Sequence, residues 1–181
     1  WKIDILKDMM NSSRDIKNVE NYLYNIYSML DSFANKKDYD DLINLLQYFE
    51  TIVFDRELAN NLINTSFITQ FITFLKKVNN DTVKIRCCSI IGYLIRYATI
   101  IETPLDENDF CNIICNVITT STNQDLVKTA TATVGEYLFY VATQEETPEN
   151  KDWHIDNKYL STLLYCLDTQ RNDPTKFYAV K

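Results

Sequence analysis

Few residues in this 181-residue sequence have the type and spacing that catalysis needs. His154 is the sole histidine. A Ser-His-Asp or Cys-His constellation would have to be built on it. It stands beside Trp153, where a polar loop meets a helix, with no cysteine or second histidine at ligand spacing. Cys111 and Cys115 lie four residues apart on one helix face and would supply half a zinc site, but no second ligand pair accompanies them. Cys87 and Cys88 are adjacent and point in different directions, so they do not form a Cys-x-x-Cys redox pair. With Cys166 the cysteine count is five, and most fall on apolar helix positions. That pattern reads as reduced, buried thiols of a cytoplasmic protein. Acidic groups at Asp38, Asp40 and Asp41, at Glu102, Asp106 and Glu107, and at Glu145, Glu146 and Glu149 fall at helix starts or in loops. The helix dipole favours them at helix starts, and no pattern buries a pair for acid–base work. Gly92 and Gly135 are the only glycines, which leaves no phosphate-binding loop. We therefore expect no catalytic, cofactor-binding or metal-binding residue in this segment. An all-helical enzyme would need a polar pocket with a perturbed acid or nucleophile.

The residues that stand out suit recognition instead. Arg86, Ser89, Tyr93 and Arg96 recur at spacings of three and four, opposite the apolar positions Val83, Cys87, Ile90, Ile91, Leu94 and Ala98. A second stripe holds Thr129, Thr133, Glu136 and Tyr140, with Tyr137 beside it. Tyr and Arg are enriched among binding hot spots. The candidate partner-binding face is thus Arg86, Ser89, Tyr93, Arg96, Thr133, Glu136, Tyr137 and Tyr140, set against the plainer reading of a solvated face with half-packed tyrosines.

The elements that carry these stripes repeat. Residues 80–99 and 123–143 align without a gap at a shift of 44 residues, with Asp81 on Asp125, Val83 on Val127, Lys84 on Lys128 and Tyr93 on Tyr137. Asp173 and Lys176 open a third copy of the Asp-x-x-Lys start, 48 residues further on. A period of this length marks a HEAT- or armadillo-type helical repeat. The expected fold is all-α, a right-handed α-solenoid with units over 14–55, 56–100, 106–143 and an incomplete 155–181. The whole of 1–181 is expected to form one segment of a longer array. Apolar periodicity predicts helices over 2–11, 14–35, 40–54, 56–63, 67–77, 82–100, 106–119, 123–143 and 156–167. Ser13 would cap the second, and 144–152 would be the longest loop. Residues 117–134 are rich in Thr and Val and would suit a strand, but Val127, Ala130, Val134, Leu138 and Val141 keep a helical period. Gly92 and Gly135, both inside helices, are read as points of close helix–helix approach. Asn is abundant enough that single Asn residues carry little functional weight.

The net charge is −7, with a sequence pI near 4.7. Nucleic acid and anionic membranes call for a basic patch, and none is visible, so we expect neither as a partner. The longest apolar runs fall far short of the ~20 residues needed to span a bilayer. The inner helices of a solenoid line a concave groove, so the expected partners are other proteins or peptides bound there.

Two segments resemble a known family. Residues 91–99, IGYLIRYAT, are similar to the LGLLIRHAT segment of the Fused-related, fourth unc-51-like kinase family. Residues 134–143, VGEYLFYVAT, resemble that family's LGELLFYIST segment, in the same order. Tyr97 stands where the family usually has His, and Tyr137 where it has Leu. The resemblance implies an armadillo/HEAT solenoid that follows a kinase-like domain, often a pseudokinase. ATP would be bound only by that upstream domain. It also implies a scaffold with a ciliary or cytoskeletal association in the cytoplasm. The alternative is a general armadillo/HEAT adaptor unrelated to kinases. Transport receptors of that kind carry a ladder of inner-face Asn and Trp, which the inner helices here lack.

Overall fold

The computed structural model describes residues 16–143, 154–167 and 173–180. The helix expected over 2–11, the Ser13 cap and the loop over 144–152 lie outside them. Among the described residues the chain is all-α, and residues 117–134 are helical except for a short turn at 121–123. The helices are α1 (Ile16–Lys36), α2 (Tyr39–Ile52), α3 (Arg56–Ile63), α4 (Ser66–Lys77), α5 (Asp81–Tyr97), α6 (Phe110–Thr120), α7 (Gln124–Ala142), α8 (Asn157–Cys166) and α9 (Asp173–Val180).

Short polar side chains start most of them by accepting the amide hydrogens that a helix N-terminus leaves unpaired. Asp55 accepts from Leu58 N, Asn80 from Val83 N, Asn123 from Leu126 N and Asp156 from Lys158 N. Two expected boundaries moved. Helix α5 stops at Tyr97, because Ala98 is extended (φ −66°, ψ 142°) and the backbone beyond it is bound by side chains of α3. The expected helix over 106–119 begins as a separate 3-10 turn, Leu105–Asn108, and breaks at Asp109, whose φ is 62°. The break frees the Asp106 carboxylate to accept from Cys111 N at 3.1 Å, which caps α6 from outside the helix.

The helices pack in two rows. Helices α2, α5, α7 and α9 contact one another in that order, and so do α1, α4, α6 and α8. Helix α5 is the hub, since it touches α2, α3, α4 and α7. It therefore exceeds the two flanking neighbours of a plain ladder. Each helix is apolar on a face it cannot hide alone, and the rows bury these faces in one core running from Ile26 to Cys166.

The starts of α5, α7 and α9 are equivalent in space as well as in sequence. Asp81 and Asp173 are the first residues of their helices and Asp125 is the second of its own. Val83, Val127 and Thr175, two positions on, are all fully buried. Asn123 ties two of the starts together by donating to Asp81 Oδ2 at 3.1 Å. Lys128 reaches back one turn to Asp125 at 3.1 Å, which explains the recurring Asp-x-x-Lys spacing in that copy.

The row of α1, α4, α6 and α8 has its own repeat, which the sequence reading did not identify. Phe67, Phe110 and Tyr159 fall in the first turns of α4, α6 and α8, at steps of 43 and 49 residues, and each is buried. Phe71, Ile114 and Leu163 follow one turn later at the same steps.

Candidate protein-interaction face

The predicted stripes meet where α5 packs on α7. Arg86, Ser89, Tyr93 and Arg96 lie along the α5 side, partly or fully exposed. Arg86 pairs with Glu50 of α2, and Arg96 pairs with Glu136 of α7. The two pairs run from α2 to α5 and from α5 to α7, so they stitch that row across its helices. Glu136 pushes the Arg96 guanidinium still further up from its ordinary range, first through the hydrogen bond. Tyr93 packs at a tilt against Phe54, with ring centroids 4.9 Å apart, and Phe54 also meets the edge of Tyr97 at 5.6 Å.

Between the two helices runs a cleft of about 240 Å³, lined by Ser89, Tyr93, Arg96, Lys128, Glu136 and Tyr178 among others. A hollow of about 340 Å³ shares the Arg96–Glu136 pair with it and adds Gly135 and Phe139. Phe139 is 71% exposed. Phe54, Lys128, Phe139 and Tyr178 were missed in the sequence. For Phe139 a signal existed: it falls off the apolar stripe of α7, where a large aromatic has no core to enter.

Of the other predicted residues, Thr133 lines the same cleft but is itself buried, its hydroxyl donating across the interface to Cys88 O at 2.8 Å. Tyr137 is fully buried on the other side of α7, against Phe110 at 5.6 Å and Tyr159 at 5.9 Å. A helix turns by 100° per residue, so Tyr137, one step past Glu136, has rotated off the stripe and into the core. Tyr140 is half-buried, and its hydroxyl accepts the Ile101 amide hydrogen at 2.8 Å, so it anchors a loop.

That loop is held from both sides. The Asn60 side chain accepts from Thr99 N at 2.8 Å and Ile100 N at 3.1 Å, and donates to Thr99 Oγ1 at 3.0 Å. Asn64 accepts from Glu102 N at 2.9 Å and donates to Ile100 O at 3.0 Å. Against expectation, two of the abundant asparagines thus do specific work: α3 presents them one turn apart, where they replace the hydrogen-bond partners the extended segment would lack.

The glycines separate. A Cβ on Gly92 would sit 3.2 Å from Thr133 Oγ1, so Gly92 is a close-approach glycine between α5 and α7. A Cβ on Gly135 would meet nothing within 4 Å, which overturns the packing role expected for it.

Asp106 is an acid whose surroundings shift its carboxyl. Desolvation pushes its carboxyl up, while hydrogen bonds from Tyr159 and the Cys111 amide pull it back. Tyr159 donates to Oδ1 at 2.6 Å, and Tyr137 donates to Oδ2 at 3.5 Å. Both phenols are held above their ordinary range, mainly by burial. All five cysteines are free and buried. Burial pushes Cys88 and Cys111 up to about 12, and Cys87 and Cys115 upward as well. A thiol is a metal ligand or nucleophile as its thiolate, and burial disfavours that form. Among the described residues no three His, Cys, Asp or Glu side chains are arranged to hold a metal ion, and no helix is long and apolar enough to cross a membrane.

A further cleft, about 520 Å³, lies away from both stripes and is lined by Lys76, Lys84, Lys158, Asp81 and Asp109 among others. Lys76 reaches Asp109 at 3.5 Å, and Lys158 donates to Asn112 Oδ1 at 2.6 Å, so much of its charge is already engaged.

No family model and no solved structure matches the chain. Among curated proteins it is similar to the serine/threonine-protein kinase RUNKEL of Arabidopsis thaliana, with 26% identity over 151 residues. That alignment covers 76% of this chain and 11% of the plant kinase. The relationship is distant, and the chain corresponds to a small part of its relative.

Proposed function

We propose that this chain is part of a right-handed armadillo/HEAT-type α-solenoid that serves as a non-catalytic protein-interaction scaffold in a Fused-like kinase or pseudokinase. The observation that carries the reading is the α5–α7 face, where a cleft bearing Arg96, Glu136 and Tyr178 runs beside the exposed Phe139. A charged pair flanked by an open aromatic is the composition that protein partners exploit. The two-row packing supports a solenoid, with α2, α5, α7 and α9 as its inner row. The distant match to a plant serine/threonine kinase supports the kinase association. A scaffold role is further supported by Asp106, whose two oxygens are engaged by Tyr159, Tyr137 and the Cys111 amide. On this reading the segment works in the cytoplasm, takes proteins or peptides in the concave side of the inner row, and leaves any ATP to a kinase-like domain elsewhere in the gene product.

The experiment is site-specific photo-crosslinking in the full-length gene product, with benzoylphenylalanine at Ser89, at Phe139 or, as control, at Asn116 on the outer row. Protein adducts from the first two positions and none from the third are expected, with Arg96→Glu suppressing them. Adducts that are absent, or equal at all three positions, refute the inner face as the working surface.

A further inference from the structure

Among the described residues, the exposed apolar side chains are concentrated at one end. Leu160, Leu164 and Leu167 form an uncovered stripe on and just past α8, with Phe177 and Val180 exposed on α9. Comparison with the preceding outer helices shows what such a stripe is for. At the steps of 43 and 49 residues that align the aromatics Phe67, Phe110 and Tyr159, it corresponds to Ile68, Ile72 and Leu75 in α4 and to Cys111, Cys115 and Ile118 in α6. In α4 these positions are 5%, 1% and 1% exposed; in α6 they are 5%, 1% and 0% exposed. In α8 they are 49%, 68% and 38% exposed. Helix α6 packs on α4, and α8 packs on α6, with Cys115 Sγ donating to Lys158 O at 3.8 Å. Nothing among the described residues packs on α8 in the same way. Leucine at 160 and 164 is larger and more apolar than the equivalent Cys111 and Cys115, and Leu167 matches Ile118 in size, so solvent exposure does not account for the choice. Lys158 is the only charged residue in α8, and it is spent on Asn112.

We infer that the α8–α9 end face is a docking surface for one further helical hairpin of the same repeat type, seated on α8 and α9 as those helices sit on α6 and α7. The occupant is a hairpin, because the open stripe is continuous with an outer row that has already used the equivalent face twice. A second copy of this chain fits less well: among the described residues of α1, at the other end of the row, Tyr24 is the only exposed large hydrophobic. The inference rests on the repeat stacking proposed above but not on the α5–α7 face, so its test is separate from the crosslinking at Ser89 and Phe139.

The test is thiol labelling of Leu164→Cys, with Thr122→Cys as an exposed control, in the purified full-length gene product and in residues 1–181 alone. The native cysteines are buried, and both substitutions fall at exposed positions. Leu160→Cys serves as the second variant should Leu164→Cys disturb the fold. Position 164 is expected to react as fast as position 122 in residues 1–181 at every protein concentration, and at least roughly a hundredfold more slowly in the full-length protein. A photo-crosslink from position 164 is expected to map to the chain immediately after residue 181. Equal, fast labelling in both proteins overturns the inference. So does protection in residues 1–181 that grows with concentration, which would make a second copy the occupant, and so does a crosslink to a distant domain.

Discussion

Tyr159→Phe probes the polar junction between the two rows. The substitution removes one oxygen and leaves a ring of the same shape, so almost no cavity is opened. What is lost is the 2.6 Å hydrogen bond to Asp106 Oδ1. A hydrogen bond to a charged acceptor contributes about 1.5–3 kcal/mol. Asp106 is only partly buried and keeps the Cys111 amide and the long contact from Tyr137, so the low end applies: about 1.5–2 kcal/mol. For a chain of this size that is a fall of roughly 3–8 °C in melting temperature. The loss depends on pH. The folded-state pKa of Asp106 is raised by desolvation, so its ionised form is disfavoured in the native state. Stability from this group is therefore fully present below the unfolded value of about 3.9 and is lost as pH rises through the higher folded value. Tyr159 opposes that loss, because it bonds to the ionised form. Without it the carboxyl rises further, and the variant is penalised most at neutral pH. Near pH 4, where the carboxyl is increasingly protonated, the lost bond is closer to neutral–neutral and the cost shrinks to about 1 kcal/mol. Urea denaturation of both proteins at pH 4 and pH 7 measures this. A penalty that is the same at both pH values, or below about 0.3 kcal/mol at pH 7, refutes the charged hydrogen bond as the stabilising element.

Two further perturbations separate features that look alike in sequence. Gly135→Ala is expected to stabilise by about 0.5–1 kcal/mol, because it relieves a mid-helix glycine in open space. Gly92→Ala is expected to destabilise despite the same propensity gain: its Cβ presses on Thr133 Oγ1, which is held by Cys88 O and Thr129 O. Chemical denaturation of the pair decides it, and equal effects would refute the close approach. Asn60→Ala removes the side-chain hydrogen bonds that hold residues 99–100 and is expected to cost about 1.5–2 kcal/mol. Hydrogen exchange should show the amides of Thr99 and Ile100 losing protection while the α7 amides keep theirs.

The helices themselves were legible in the sequence, because a helix is decided locally. Apolar side chains three and four residues apart mark its buried face, and Asp55, Thr65, Asn80, Asn123 and Asp156 mark its starts. The shift of 44 residues between 80–99 and 123–143 was equally plain, since repeated neighbours impose repeated side chains. The outer-row repeat was hidden because its equivalent places hold Phe, Phe and Tyr, then Ile, Cys and Leu: all apolar in character, but with little identity.

The destination of each stripe residue was decided only by tertiary packing. Glu136 and Tyr137 are adjacent in sequence, yet one pairs with Arg96 and the other is sealed in the core. Gly92 and Gly135 sit in repeated helices, yet only one faces a neighbour's backbone and side chain. Asp106 belongs to an unremarkable acidic loop in the sequence, and becomes a junction because Tyr137 and Tyr159 arrive from helices α7 and α8. Periodicity places a side chain to within a face about 100° wide. Whether that face meets another helix, a loop or water depends on where the neighbouring helices cross it. That crossing is a property of the stack as a whole, and no single stretch of sequence carries it.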